Sequence, residues 1–102
     1  MKKDSHQLLT EQHAQDTYHL FKALADPTRI KIMHLLAEEE CSVNHIADIL
    51  QMNQSAVSHQ LRTLRQMKLV KYRHSGNYLY YSCDDSHVIE LLNQALSHSE
   101  HT

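Results

Sequence analysis

A mainly α-helical chain with one small β-hairpin is the fold class this sequence predicts, and three observations predict it. Only one Gly and one Pro interrupt 102 residues, apolar side chains recur at helical spacing over long stretches, and one segment alternates in strand fashion around a tight-turn tripeptide. With 41% apolar residues, one compact domain with a modest core is expected over residues 1–102. No apolar run approaches the ~18 residues that span a bilayer. The Lys2, Lys3, Asp4 start leads into polar residues rather than a signal-peptide core, so a soluble, cytoplasmic protein without a membrane partner is expected.

Taken in order, the first helix is expected from Ser5 to Ala25, with Ala14, Tyr18, Phe21 and Ala25 on one stripe. Asp26 then acts as N-cap and Pro27 as first helical residue. They open a largely buried helix carrying Ile30, Ile32, Met33, Leu35 and Leu36, which ends near residues 38–40. Ser42 caps a short helix from Val43 to about Leu50, with Ile46, Ala47 and Leu50 inward. Gln51-Met52-Asn53 breaks the pattern, and the next helix runs from after Asn53 to Met67 on the apolar set Ala56, Val57, Leu61 and Leu64. Two helices joined by so short a turn fit a helix-turn-helix. The outward N-terminal part of the second carries Gln54, Ser55, Ser58, His59 and Arg62. Small polar residues there permit close approach to base edges and phosphates in the major groove, and Ser55, Ser58 and His59 are the best placed.

Leu69 to His74 and Tyr78 to Ser82 then alternate as strands around Ser75-Gly76-Asn77, where Gly and Asn tolerate positive φ. A hairpin after a helix-turn-helix is a wing, so the architecture expected is a winged helix-turn-helix. Lys71, Arg73 and His74 on the wing would lie near flanking phosphates, while Tyr72, Tyr78, Tyr80 and Tyr81 divide between core and surface. Charge supports a polyanionic partner. Net charge is −2, yet residues 49–83 contain no Asp or Glu and hold Arg62, Arg65, Lys68, Lys71 and Arg73. A local basic face on an acidic chain is an electrostatic footprint for phosphate.

The last predicted helix carries Asp85-x-His87 at its start and His98-x-x-His101 at its end. These are four metal-ligand side chains in two pairs. At ~1.5 Å rise per residue the span from His87 to His98 is roughly 16 Å, too long for a coordination shell with bonds of about 2 Å. Two copies packed antiparallel about a two-fold axis would close two equivalent sites, each with one Asp and three His. The pattern thus implies metal, homodimer and antiparallel helices together, with the first helix packed beside the last in a dimer through the N- and C-terminal helices. Three imidazoles and a carboxylate suit tetrahedral Zn(II), accept Co(II), and admit Ni(II) if further ligands expand the shell. Imidazoles must be neutral to ligate, so metal affinity should fall as pH drops toward ~6. A plainer reading makes Asp84 and Asp85 helix-start acids and His98 and His101 groups favoured by the C-terminal dipole; it explains each pair but not their mutual spacing.

Leu24-Ala25-Asp26-Pro27-Thr28-Arg29, Ser55-Ala56-Val57-Ser58-His59-Gln60-Leu61, Leu69-Val70 with the wing, and the Asp85/His87/His98/His101 helix together resemble the ArsR/SmtB family of metal-sensing winged-helix repressors, over roughly residues 18–101. Within it the similarity is to zinc and cobalt sensors of the CzrA and SmtB type. The resemblance implies an apo homodimer on double-stranded operator DNA with an inverted repeat. It implies release when metal binds the C-terminal helix, and control of metal efflux or sequestration genes. It further implies that His98, through its second ring N–H, is linked to the backbone near Met67 and Lys68.

The chain departs from the Cys-rich sensors of that family. Its segment reads Cys41-Ser42-Val43-Asn44-His45, with Ser42 at the usual cysteine position, which argues against a soft-metal thiolate site. Cys41 or His45 with His6 or His13 remains a secondary option. Two rivals stand beside the metal reading. One is a redox- or persulfide-sensing repressor using Cys41 and Cys83. The other is a metal-dependent hydrolase, which four protein ligands on a thin helical interface leave without an open position or a general base. No enzyme activity is therefore expected.

Overall fold

The structure is a computed structural model and describes residues 6–101. Ser5, the Lys2-Lys3-Asp4 start and Thr102 lie outside the described residues. The elements in chain order are α1 (Glu11–Leu24), α2 (Pro27–Glu38), β1 (Cys41–Ser42), α3 (Val43–Leu50), α4 (Gln54–Gln66), β2 (Val70–Ser75), β3 (Tyr78–Cys83) and α5 (Ser86–Glu100).

The first helix is shorter than expected because Thr10 caps it. Its hydroxyl accepts from His13 N at 3.1 Å, and residues 6–10 before it are not helical. Asp26 caps α2 with Pro27 in the first turn, as the sequence indicated, its carboxylate accepting from Arg29 N at 3.0 Å. Ser42 caps α3 and Asn53 caps α4.

Two helix ends close on non-glycine residues in the left-handed region, Gln51 at φ 56° and Lys68 at φ 60°. Each sits in a Schellman-type end. Met52 N reaches Ala47 O at 2.9 Å in the first, and Leu69 N reaches Leu64 O at 3.0 Å in the second. A side chain in that conformation is strained by roughly 1 kcal/mol. Lys68→Gly is therefore expected to raise the melting temperature by about 4–8 °C at fixed protein concentration. A thermal melt showing no rise would mean that the Lys68 side chain makes contacts worth as much as the strain.

The hairpin is joined by a third strand the sequence did not reveal. The antiparallel order is β1-β3-β2, with Cys41 opposite Tyr81 and a β2/β3 ladder from Val70↔Cys83 to Ser75↔Tyr78. Only Gly76 takes positive φ at the tip, at 61°; Asn77 does not. Helices α2, α3 and α4 pack over this sheet around Ile32, Met33, Ile46, Val57, Leu61 and Leu64, all fully buried.

Three side-chain contacts tie α4 and the wing to their surroundings. Arg29 Nε donates to Gln60 Oε1 at 2.9 Å and its Nη1 to Ala23 O at 3.1 Å, locking α4 to α2 and to the end of α1. Arg65 stacks 4.3 Å above the Tyr72 ring, which in turn meets Tyr81 at 5.5 Å, fastening α4 to the wing. Arg73 forks onto Glu40, Nε at 2.9 Å and Nη2 at 2.8 Å, fastening the wing to the loop before β1. The Arg73 guanidinium holds the Glu40 carboxyl below its ordinary range. Because the folded pKa is the lower one, this contact contributes above the ordinary Glu range and is lost as pH falls through the depressed value.

The chain extends 63 × 32 × 20 Å. Much of its uncovered apolar surface lies on the arm, α1 and α5: Leu8, Leu9, Tyr18, Phe21 and Leu91. The α1 stripe expected from the sequence, with Tyr18 and Phe21, thus faces outward from the protomer. Leu20, Ala23 and Leu24 supply the contacts to its own core.

Candidate nucleic-acid interface and metal-ligand helix

Helix α4 divides its faces cleanly. At 100° per residue, Gln54, Ser55, Ser58, His59 and Arg62 fall on one side, opposite the buried Val57, Leu61 and Leu64. Ser58 is half-buried and the other four are exposed. Gln60, in the same motif, is turned away to Arg29 and belongs to the scaffold.

The wing residues divide less simply. Lys71 and His74 are exposed as expected, Lys71 lying 3.9 Å from the Asp84 carboxylate. Arg73 is exposed too, but its fork is occupied by Glu40. The acid-free stretch in the sequence therefore borrows two acids from its flanks, so the basic face in space is narrower than the linear charge pattern suggested. Sequence spacing gives no sign of this, because Glu40 and Arg73 meet only through the β1/β3 pairing. Tyr81 is buried, Tyr72 and Tyr80 are half-buried, and Tyr78 is exposed, the division the sequence indicated.

On α5, the Asp85/His87 and His98/His101 pairs sit at opposite ends of the 15-residue helix. Val88 and Leu92 bury one side of the helix against the core. Rotated from them, His87, His98 and His101 share a flank beside the exposed Leu91 and Ala95. Asp85 is the N-cap, its Oδ1 accepting from His87 N at 2.8 Å, so the capping role holds and leaves Oδ2 for another partner. His87 Nδ1 lies 3.3 Å from the same Oδ1. His101 Nδ1 lies 2.7 Å from Ser97 O, and since a carbonyl only accepts, this nitrogen carries the proton. Nε2 is then the lone-pair nitrogen, oriented as in ligating histidines whose other nitrogen is fixed by an acceptor. The donor set fits a borderline divalent ion.

Both thiols are held back. Burial, then the nearby Glu39 and Glu40, push Cys41 up to about 11, and burial alone pushes Cys83 up to about 11. Both cysteines are free. No described helix is long and apolar enough to cross a membrane.

Comparison with known proteins agrees with the winged helix-turn-helix architecture. The family described as bacterial regulatory protein, arsR family, matches residues 26–72. A "Transcriptional repressor SmtB homolog" from Synechocystis sp. is 42% identical over 92 residues, covering 90% of this chain and 70% of the relative. A "Cadmium resistance transcriptional regulatory protein CadC homolog" from Staphylococcus aureus is 41% identical over 91 residues, covering 88% and 75%. Among solved structures, a homodimeric winged helix-turn-helix DNA-binding domain from Mycobacterium bovis superposes with a TM-score of 0.79 at 28% identity, covering 93% of this chain and 91% of that one.

Proposed function

Because this chain belongs to the arsR family of bacterial regulatory proteins, and is thus a winged helix-turn-helix transcriptional regulator rather than an enzyme, we propose that it is a repressor released from operator DNA by Zn(II) or Co(II) bound on α5. The observation that carries this is the placement of Asp85 and His87 at one end of α5 and His98 and His101 at the other, on an exposed flank beside Leu91 and Ala95. Two copies with α5 antiparallel pair the Asp85/His87 end of each with the His98/His101 end of the other. The exposed Tyr18 and Phe21 of α1 supply further apolar surface for the same homodimer.

Gln54, Ser55, Ser58, His59 and Arg62 read the major groove, while Lys71, Arg73 and His74 hold flanking phosphate of an inverted repeat. When bound, the metal supplies a fixed link between the two α5 helices. Their orientation sets the spacing of the two reading helices, and so whether both fit successive grooves at once. Cysteine sensing is the weaker reading, because burial pushes both thiols up to about 11 and disfavours the reactive thiolate.

The test is binding of the full chain to a fluorescent inverted-repeat duplex at fixed salt, with chelator and then with Zn(II), Co(II) or Ni(II). Tenfold or greater weakening by one ion, with no effect of mild oxidant, is expected. An affinity blind to every metal and lost on oxidation would overturn the reading. The Glu40 fork offers a second check. Glu40→Gln frees Arg73 for phosphate, so the slope of log affinity against log salt should steepen by about 0.9 per protomer. An unchanged slope would mean that Glu40 does not hold Arg73 back from phosphate, and Arg73→Ala, which should then flatten the slope by about 0.9 per protomer, decides whether Arg73 touches DNA at all.

A further inference from the structure

We propose that Glu39, Cys41 and His45 form a second metal site, complete within one protomer and separate from α5, for a borderline divalent cation such as Zn(II) or Co(II).

Three elements converge there. Glu39 is the C-cap of α2, Cys41 opens β1, and His45 lies in the first turn of α3. One ligand atom from each residue lies within 4.8 Å of the other two. His45 Nε2 and a Glu39 carboxylate oxygen are 3.9 Å apart, too far for a hydrogen bond. Ligands on a tetrahedral ion with bonds of about 2 Å lie about 3.3 Å apart, so an ion would draw these two exposed side chains together by roughly half an ångström. Cys41 is fully buried and forms the floor, its Sγ donating to Glu39 O at 3.7 Å, while the half-exposed side chains of Glu39 and His45 form the rim.

Strand alternation separates Cys41 from its neighbour. Ser42 is turned to the α3 cap, where its hydroxyl accepts from His45 N at 3.2 Å, so Cys41 alone of that pair faces the cluster. Cys83 takes no part; its Sγ donates to Met33 O at 3.6 Å. Thiolate, imidazole and carboxylate together suit Zn(II)-class ions, with water in the fourth position. On binding, the Cys41 S–H gives its proton to solvent and a sulfur–metal bond forms, with no change of oxidation state.

The probe is Co(II) added to the full chain under reducing, oxygen-free conditions. It is added both to the wild-type chain and to an Asp85→Ala/His98→Asn variant in which α5 is disabled. A thiolate-to-cobalt charge-transfer band saturating at one ion per protomer is expected in both, whether or not DNA binding responds to metal. Cys83→Ser keeps the band and Cys41→Ser abolishes it. His45→Ala and Glu39→Gln, at exposed positions that leave the fold intact by circular dichroism, each weaken Co(II) at least tenfold and carry the test should Cys41→Ser not fold. No band in the α5-disabled variant, a band surviving in Cys41→Ser, or unchanged affinity in His45→Ala would each overturn the proposal.

Discussion

His98→Asn protein is expected to hold an inverted-repeat duplex as tightly as the wild-type chain in chelator, and to stay on it when Zn(II) is added. Asn keeps a polar group of similar reach but offers no imidazole nitrogen, so the α5 donor set drops from four to three and loses its partner across the dimer. Coupling free energies of ~1–3 kcal/mol would make metal weaken wild-type binding by about 5- to 150-fold. In the variant that factor should collapse to within about twofold, well below this coupling range. Reciprocity adds an independent reading: DNA must weaken Zn(II) binding to the wild-type chain by the same factor. Fluorescence anisotropy under identical salt settles the matter, and a variant still driven off by metal removes His98 from the switch.

Leu61→Ala should have the other large effect. Leu61 is fully buried on the inner side of α4, beneath the face proposed to read DNA. Truncating such a side chain costs about 2–5 kcal/mol, a large share of the 5–15 kcal/mol typical of whole domains. Urea unfolding should show the midpoint falling with little change in slope. Ser58→Ala, three residues earlier on the outer face, should leave stability within about 0.5 kcal/mol while weakening DNA binding. If both substitutions lower stability equally, the division of α4 into a packing face and a reading face is wrong.

The helices were legible because each announces itself twice, by apolar spacing and by a cap. Asp26-Pro27, Ser42 and Asn53 start helices where the sequence places them, and the 3.6-residue period identifies Ile46, Val57, Leu61 and Leu64 as core. The start of α1 was not legible, since nothing in the period distinguishes residues 6–10 from the helix that Thr10 begins. Nor was β1, whose two residues are too few to show alternation. Gln51 and Lys68 adopt a conformation that glycine signals and they do not, held by the hydrogen bonds that close the two helix ends. On α5, the placement of Asp85/His87 and His98/His101 at opposite ends of one helix followed from spacing alone. Glu39, Cys41 and His45 lie within one short stretch of sequence, but their ligand atoms converge only through the turns from α2 into β1 and from β1 into α3, which residue spacing does not show.

The wing and the ligand helix are, mechanically, one piece. Only Asp84 and Asp85 separate the end of β3 from the start of α5, Asp84 N donates to Leu69 O at 3.0 Å, and Asp85 is itself both helix cap and ligand candidate. Two residues of chain span at most about 7 Å, so there is no slack to absorb a turn of the helix. On the proposed α5 metal site, torque applied by an ion at the head of α5 would pass along β3 toward the tip at Gly76, and the hairpin would act as a tiller for the dimer.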